Sequence, residues 1–317
     1  MSEFPPPGPE PTGGAEDRPS SETSSPTVWP VFLTYGLVLI ASLVLGVGLM
    51  VLAIAVNVAR DPGIAQDEGR VRQLVGQVAA TPKMLLASAA VSSLLLLAAL
   101  FVAIRLEGAR LARRLRLTRR ALGFRFWLLT SFGFLAVSQL FDSLFWFLGI
   151  DPGGTIDLAI RSISSASGYV LILLLILIGP MAGLAEELFF RGYMQTRLRQ
   201  RWRPWPAILV TAGAFGLLHL DPFHSVFAFL VGILLGWIAE KAGTILPSIV
   251  AHVFNNTVWA LGVSSFPEPF TAFISFCLLT LSVAVGIGCI AWLVRQPTAA
   301  ASVQEELAAG ASATSIR

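Results

Sequence analysis

The sequence predicts an all-α, polytopic membrane protein with about eight transmembrane helices. Three observations carry this. The chain is 55% hydrophobic and only 13% charged, with a mean hydropathy of +0.74, which sets it apart from soluble globular domains. Its apolar residues gather into blocks long enough to cross a bilayer, for which a helix needs roughly 20 residues. Its arginines concentrate in the short segments between those blocks.

Residues 1–28 are rich in Pro, Gly, Ser and acids and lack an apolar run, so they read as a disordered N-terminal tail. Without a basic leading region they do not read as a signal peptide. The first span is 29–58, closed by Arg60-Asp61-Pro62, and a polar loop of mixed charge (60–83) leads to the second, 84–104. Residues 105–125 then hold eight arginines against one acid, Glu107, with leucines threaded between them. That pattern fits an interfacial amphipathic helix gripping anionic headgroups, and also a cytoplasmic loop obeying the positive-inside rule. Residues 29–125 thus form a two-helix unit with an arginine-rich cytoplasmic or interfacial segment.

The third span, 126–150, carries Asp142, and the loop 151–166 contains the turn signature Asp151-Pro152-Gly153-Gly154. The fourth span includes the charge-free run 162–185. Within it Pro180, flanked by Gly179 and Gly183, frees a backbone carbonyl and lets a neighbouring helix come close. Spans at 205–220, 223–239, 244–262 and 270–294 complete the eight, and 295–317 is a polar C-terminal tail. Gly232 and Gly236 in the sixth span read as packing positions. The two most arginine-rich segments, 105–125 and 191–203, are two crossings apart and share a side. The positive-inside rule makes that side the cytoplasm and puts both termini there, in a multi-pass plasma-membrane protein.

Some classes are excluded. No basic module interleaved with aromatics suggests nucleic-acid binding. Cys277 and Cys289 lie in one apolar block, about 18 Å apart along a helix, too far for a disulfide. Nothing in the sequence sets an oligomeric state.

The chemistry concentrates in 179–203, GPMAGLAEELFFRGYMQTRLRQRWR. Acids at the end of an apolar helix are costly and call for a partner or a task. Glu187 and Arg191 are four apart with the acid first, so they face each other one turn on. Glu186 lies about 100° round the helix from Glu187 and is left available. Of the three histidines, His219 closes the fifth span, and His252 lies in the seventh with Asn256 on the same face. His224, after Asp221-Pro222, reads as a loop residue. One spare carboxylate, two imidazoles and an amide on three helices suit hydrolysis of a carbonyl compound, most simply a peptide bond. A desolvated Glu is a competent base, a His can share the water, and a second His with an amide can donate to an oxyanion.

Glu186-Glu187-xxx-Arg191, Phe215-xxx-His219 and His252-xxx-Asn256, in this order on membrane helices, resemble the three motifs of the CPBP family. That family comprises the CAAX prenyl endopeptidases of the Ras-converting type and the bacterial Abi proteins. The motifs fall within 169–262, inside a protease core spanning 126–294. The resemblance implies an intramembrane endopeptidase acting on a membrane-embedded or lipidated peptide or protein. It assigns Glu186 and His219 to water activation and His252 and Asn256 to the oxyanion, with Glu187, Arg191 and Phe215 supporting. The family often bears a metalloprotease label, but a metal-free glutamate mechanism matches these roles. Zinc held by Glu186, His219 and His252 is the alternative, although the H-E-x-x-H signature is absent. A different class remains open on the residues alone: a non-catalytic carrier or scaffold using the same buried polar cluster.

Overall fold

The computed structural model describes residues 27–107, 115–118, 120–148, 153–266 and 272–297. Its regular structure is helical, and no strand occurs among the described residues. In chain order the helices are α1 (Trp29–Arg60), α2 (Glu68–Ala79), α3 (Pro82–Glu107), α4 (Phe124–Phe147) and α5 (Gly154–Ser164). They continue with α6 (Gly168–Arg199), α7 (Pro204–Leu217), α8 (Pro222–Ala242), α9 (Leu246–Ser265) and α10 (Ala272–Arg295). Part of the arginine-rich stretch (108–114 and 119), the side chain of Asp142, and the tails 1–26 and 298–317 lie outside the described residues.

Six helices among the described residues, α1, α3, α4, α6, α8 and α10, are long and apolar enough to cross a membrane. The other two expected spans are helical but fall short of that standard. The 14 residues of α7 rise only about 21 Å, against a hydrocarbon core of about 30 Å. The 20 residues of α9 have the length, yet they include Ser248, His252, Asn255, Asn256 and Thr257.

Two stretches that read as loops contain helices. In 60–83, the Asp67 carboxylate accepts from the backbone N–H groups of Gly69 and Arg70 at 2.8 and 3.3 Å and starts α2. In 151–166, α5 begins at the last residue of the turn signature, pairs Asp157 with Arg161 at 2.8 Å on its outer side and buries Ile163. Polarity hides such short amphipathic helices from a reading tuned to long apolar runs.

The bundle centres on α9, which packs on α4, α5, α6 and α8, while α10 backs α4 and α7 forms a hairpin with α8. Missing side chains set how near α6 and α9 approach. A Cβ on Gly183 would stand 3.1 Å from Val253 N, and one on Gly179 would stand 2.5 Å from Thr257 Oγ1. The Pro180 region thus lets a neighbour close in, and that neighbour is α9.

One end of the bundle collects the charges. Glu240, at the close of α8, accepts from Arg116 Nη1 at 2.7 Å and from Arg199 Nε at 3.1 Å, so both arginine-rich segments meet there. Arg116 Nη2 also donates to Ala239 O (2.9 Å), and the Arg116 carbonyl accepts from Ile245 N (3.0 Å). Leu115 beside it is buried. This part of the arginine-rich stretch is therefore anchored on protein. The start of α1 and the end of α10 reach the same end, through Arg197 Nε on Thr27 O (3.0 Å) and Lys241 Nζ on Gln296 O (2.6 Å).

Candidate active site

The site is built on an irregular helix. The α-helical course of α6 is interrupted by two wide, π-type stretches, Leu177–Ala182 around Pro180 and Leu188–Gln195. Between them one regular stretch, Gly183–Glu187, carries the two acids. Proline has no N–H to give and crowds the preceding turn, and a wider turn relieves both problems. Such interruptions adjust which way the following side chains point.

Glu187 and Arg191 pair as their spacing predicts. Arg191 Nη1 donates to Glu187 Oε1 at 2.6 Å with both side chains fully buried. A buried ion pair is tolerable only when further hydrogen bonds support it. Arg191 Nη2 therefore donates to Gly232 O at 2.9 Å, and its guanidinium lies 4.7 Å over the Phe215 ring. One turn on, Gln195 Nε2 repeats the pattern on Gly236 O at 3.0 Å and also reaches Glu240 Oε1 at 3.1 Å. The glycine pair of α8 thus admits α6 closely enough for side chains to reach α8 carbonyls.

Glu186 points the other way, into a cavity of about 390 Å³ whose wall also includes Phe215, His219, His252 and Asn256. Residues of α3, α4, α5 and α8 line its other sides. The three motifs read from the sequence therefore border one cavity.

Each polar group there has a defined orientation. His252 Nδ1 donates to Glu187 Oε1 at 3.0 Å, and its Nε2 lies 3.6 Å from Glu186 Oε2. His219 sits just past the end of α7, in a turn where Leu220 adopts φ 56°. Its Nδ1 is 3.0 Å from Phe215 O; a carbonyl only accepts, so Nδ1 carries the hydrogen and Nε2 keeps its lone pair. Asn256 Nδ2 donates to Ile178 O (3.3 Å), inside the first wide stretch of α6, and Asn256 Oδ1 accepts from Asn255 Nδ2 (3.3 Å). Phe215 is the shared partition, with ring centroids 5.1 Å from His219 and 5.9 Å from His252.

Among the described residues, no three His, Cys, Asp or Glu side chains form a group that could hold a metal ion. Glu186 and His252 are adjacent, while the Nδ1 of His219 is committed to a backbone carbonyl.

Residues 168–258 match the family model described as type II CAAX prenyl endopeptidase Rce1-like. The chain is similar to that family over this segment, which carries all three motifs. That family is one of peptide hydrolases, and the similarity together with the long apolar helices supports a peptide hydrolase of the CAAX type in a multi-pass membrane setting. No curated protein and no solved structure matches the chain.

Three residues have roles that the sequence pattern does not announce. Gln195 is four residues beyond Arg191, so it shares the face that meets α8, and that spacing is a usable signal. Glu240 reads as the end of a span but anchors three side chains. His224 reads as a loop residue, yet it lies in the first turn of α8 and lines the cavity. The Asp221-Pro222 pair is a helix-start signature that marks its place. Asp221 Oδ1 accepts from His224 N at 2.8 Å and Oδ2 from Thr155 N at 3.1 Å. Burial pushes this carboxyl up, but these backbone N–H groups outweigh it and hold it below the usual range.

Proposed function

We propose that the chain hydrolyses a peptide bond of a membrane-embedded or lipidated substrate, with water activated by Glu186 and His219. One observation carries the reading: Glu186 is the carboxylate of the pair left without an arginine, and it lines a cavity beside two imidazoles. Glu186 takes a proton from water as the oxygen attacks the scissile carbonyl. His219 Nε2, an acceptor because Nδ1 is spent on Phe215 O, holds the second hydrogen of that water. The oxyanion forms toward Asn256 Nδ2, whose second hydrogen is not needed for Ile178 O. It also forms toward His252 Nε2, which donates when the ring carries both protons, because Nδ1–H is already directed at Glu187. The proton on Glu186 then passes to the departing amine as the C–N bond breaks. Each oxyanion donor of this kind is worth about 10²–10³ in rate.

Metal-free chemistry is part of the proposal, and zinc held by Glu186, His219 and His252 is its alternative. A plasma-membrane location with both termini cytoplasmic is also proposed. It is supported by the gathering of both arginine-rich segments, the start of α1 and the end of α10 at one end of the bundle.

The test compares cleavage products in membranes of cells carrying wild type, Glu186→Gln or His219→Ala, at matched protein levels. A product made by wild type and lost in both variants is expected. Full product with Glu186→Gln would defeat the reading, and loss of activity on chelation, restored by zinc, would defeat its metal-free part.

A further inference from the structure

We propose that His224 is a positioning residue for His219, acting by ring contact across the α7–α8 turn. This rests on the role proposed for His219 but concerns a residue outside the three motifs. The chain itself holds His219 only weakly. That residue lies beyond the last turn of α7, in a short connection with a left-handed residue next to it, so no helix fixes its direction. Its ring is held by backbone carbonyls of the preceding turn, Phe215 O at 3.0 Å from Nδ1 with Gly216 beside it, and restraint at that edge leaves the plane of the ring free to swing about it.

The ring contacts supply what is lacking. Phe215 meets the imidazole edge-on, with an interplanar angle of 89°. His224 meets it at a centroid distance of 4.1 Å and an angle of 51°, closer than the 5.1 Å contact with Phe215. A ring held between two others keeps its Nε2 aimed in one direction. His224 is itself fixed from three sides. Asp221 Oδ1 accepts its backbone N–H, Thr155 Oγ1 of α5 lies 3.4 Å from its Nδ1, and Phe227 one turn on has its ring 6.4 Å away. Glycine at 154 is required for this support, because its φ of 53° is left-handed and an added Cβ would collide with Asp221 Oδ2. The short helix α5, unseen in the sequence, is thus the outer brace of the site.

The role calls for a flat ring at 224 rather than for its nitrogens. His224→Ala should lower kcat, by up to about 10²-fold as expected for a displaced reacting group, with a smaller change in KM. His224→Phe should recover most of that loss. The chain has three histidines, so ¹⁵N-histidine NMR of the full protein in nanodiscs gives a readout that needs no cleavage. Wild-type His219 should show one fixed tautomer with hydrogen on Nδ1. His224→Ala should give averaged ring-nitrogen shifts at His219 with His252 unmoved, and His224→Phe should restore the single tautomer. Unchanged His219 shifts in His224→Ala, or failure of His224→Phe to restore them, would overturn the inference. If His224→Ala also disturbs His252, His224→Phe alone decides: a retained His219 tautomer supports the inference and a lost one defeats it. Loss of the hydrolytic reading would appear separately, as cleavage that survives Glu186→Gln.

Discussion

His252 Nδ1 donates to Glu187 Oε1 across 3.0 Å, and that same oxygen receives Arg191 Nη1 at 2.6 Å. Glu187 is thus more than the counter-ion of an arginine. It holds the imidazole of α9 so that Nε2 faces Glu186, 3.6 Å away. Replacing Glu187 by Gln keeps the shape and removes the charge that Arg191 needs. Truncating one member of a buried pair typically costs about 3–5 kcal/mol, and the isostere should lose a large part of that. Thermal unfolding in detergent should show a lowered midpoint, and kcat should fall with it. An unchanged midpoint would deny the pair its role.

Arg191→Lys tests the same network from the other side. A lysine keeps the charge but cannot bond Glu187 and Gly232 O in a planar fork while lying on Phe215. The variant should be less stable than wild type by at least about 1 kcal/mol, the worth of one hydrogen bond. Its activity should fall as Phe215, the wall between the two histidines, loses a neighbour. Equal stability and activity would show that charge alone suffices.

Gly183→Ala probes the α6–α9 approach. The added methyl would meet Val253 N at 3.1 Å and Val253 Cα at 3.2 Å, backbone atoms that cannot rotate away. Overpacking of this kind costs about 1–3 kcal/mol. The displacement acts where Glu186 and His252 face each other, so kcat should drop more steeply than stability alone accounts for. A fully active Gly183→Ala protein would refute the tight fit.

Asp221 gives an acid-dependent prediction. Its carboxyl is held below the usual range in the folded protein, so it contributes stability above the unfolded value of about 4. That contribution fades as pH falls through the lowered folded value. Asp221→Asn can still cap α8, but it turns an NH₂ or loses an acceptor toward Thr155 N. At neutral pH it should be less stable by about 1–3 kcal/mol, and the gap should shrink below about pH 4. Unfolding midpoints at two pH values measure it, and a gap that widens in acid would contradict the assignment.

The helical class is legible because long apolar runs such as those of α1 and α6 leave little else to form in a bilayer. The pairing of Glu187 with Arg191 is legible from spacing, and so is the common face of His252 and Asn256. The convergence of Glu186, His219, His252 and Asn256 comes from counting scarce polar groups in an apolar chain, which works because each is expensive there. Other features leave no periodic trace. The wide stretches of α6 depend on how Pro180 is accommodated, α5 is too short and polar to register, and the position of His224 depends on a turn closing across Asp221. Likewise the docking of Arg116 on Glu240 joins residues 124 apart in sequence, a distance over which spacing rules say nothing.

In the regular stretch between the two wide ones, residue number as well as residue type aligns Glu186 with the cavity. Each π-type turn carries one residue more than an α-helical turn in its place. Deleting that extra residue from Leu177–Ala182 would close the turn to regular winding with both flanks facing much as before, whereas deleting one of Gly183–Ala185, in the regular stretch just ahead of Glu186, would turn Glu186 by about 100° relative to the preceding helix. Glu186 would then leave the cavity it shares with His252, although the chain would be just as greasy and just as able to insert.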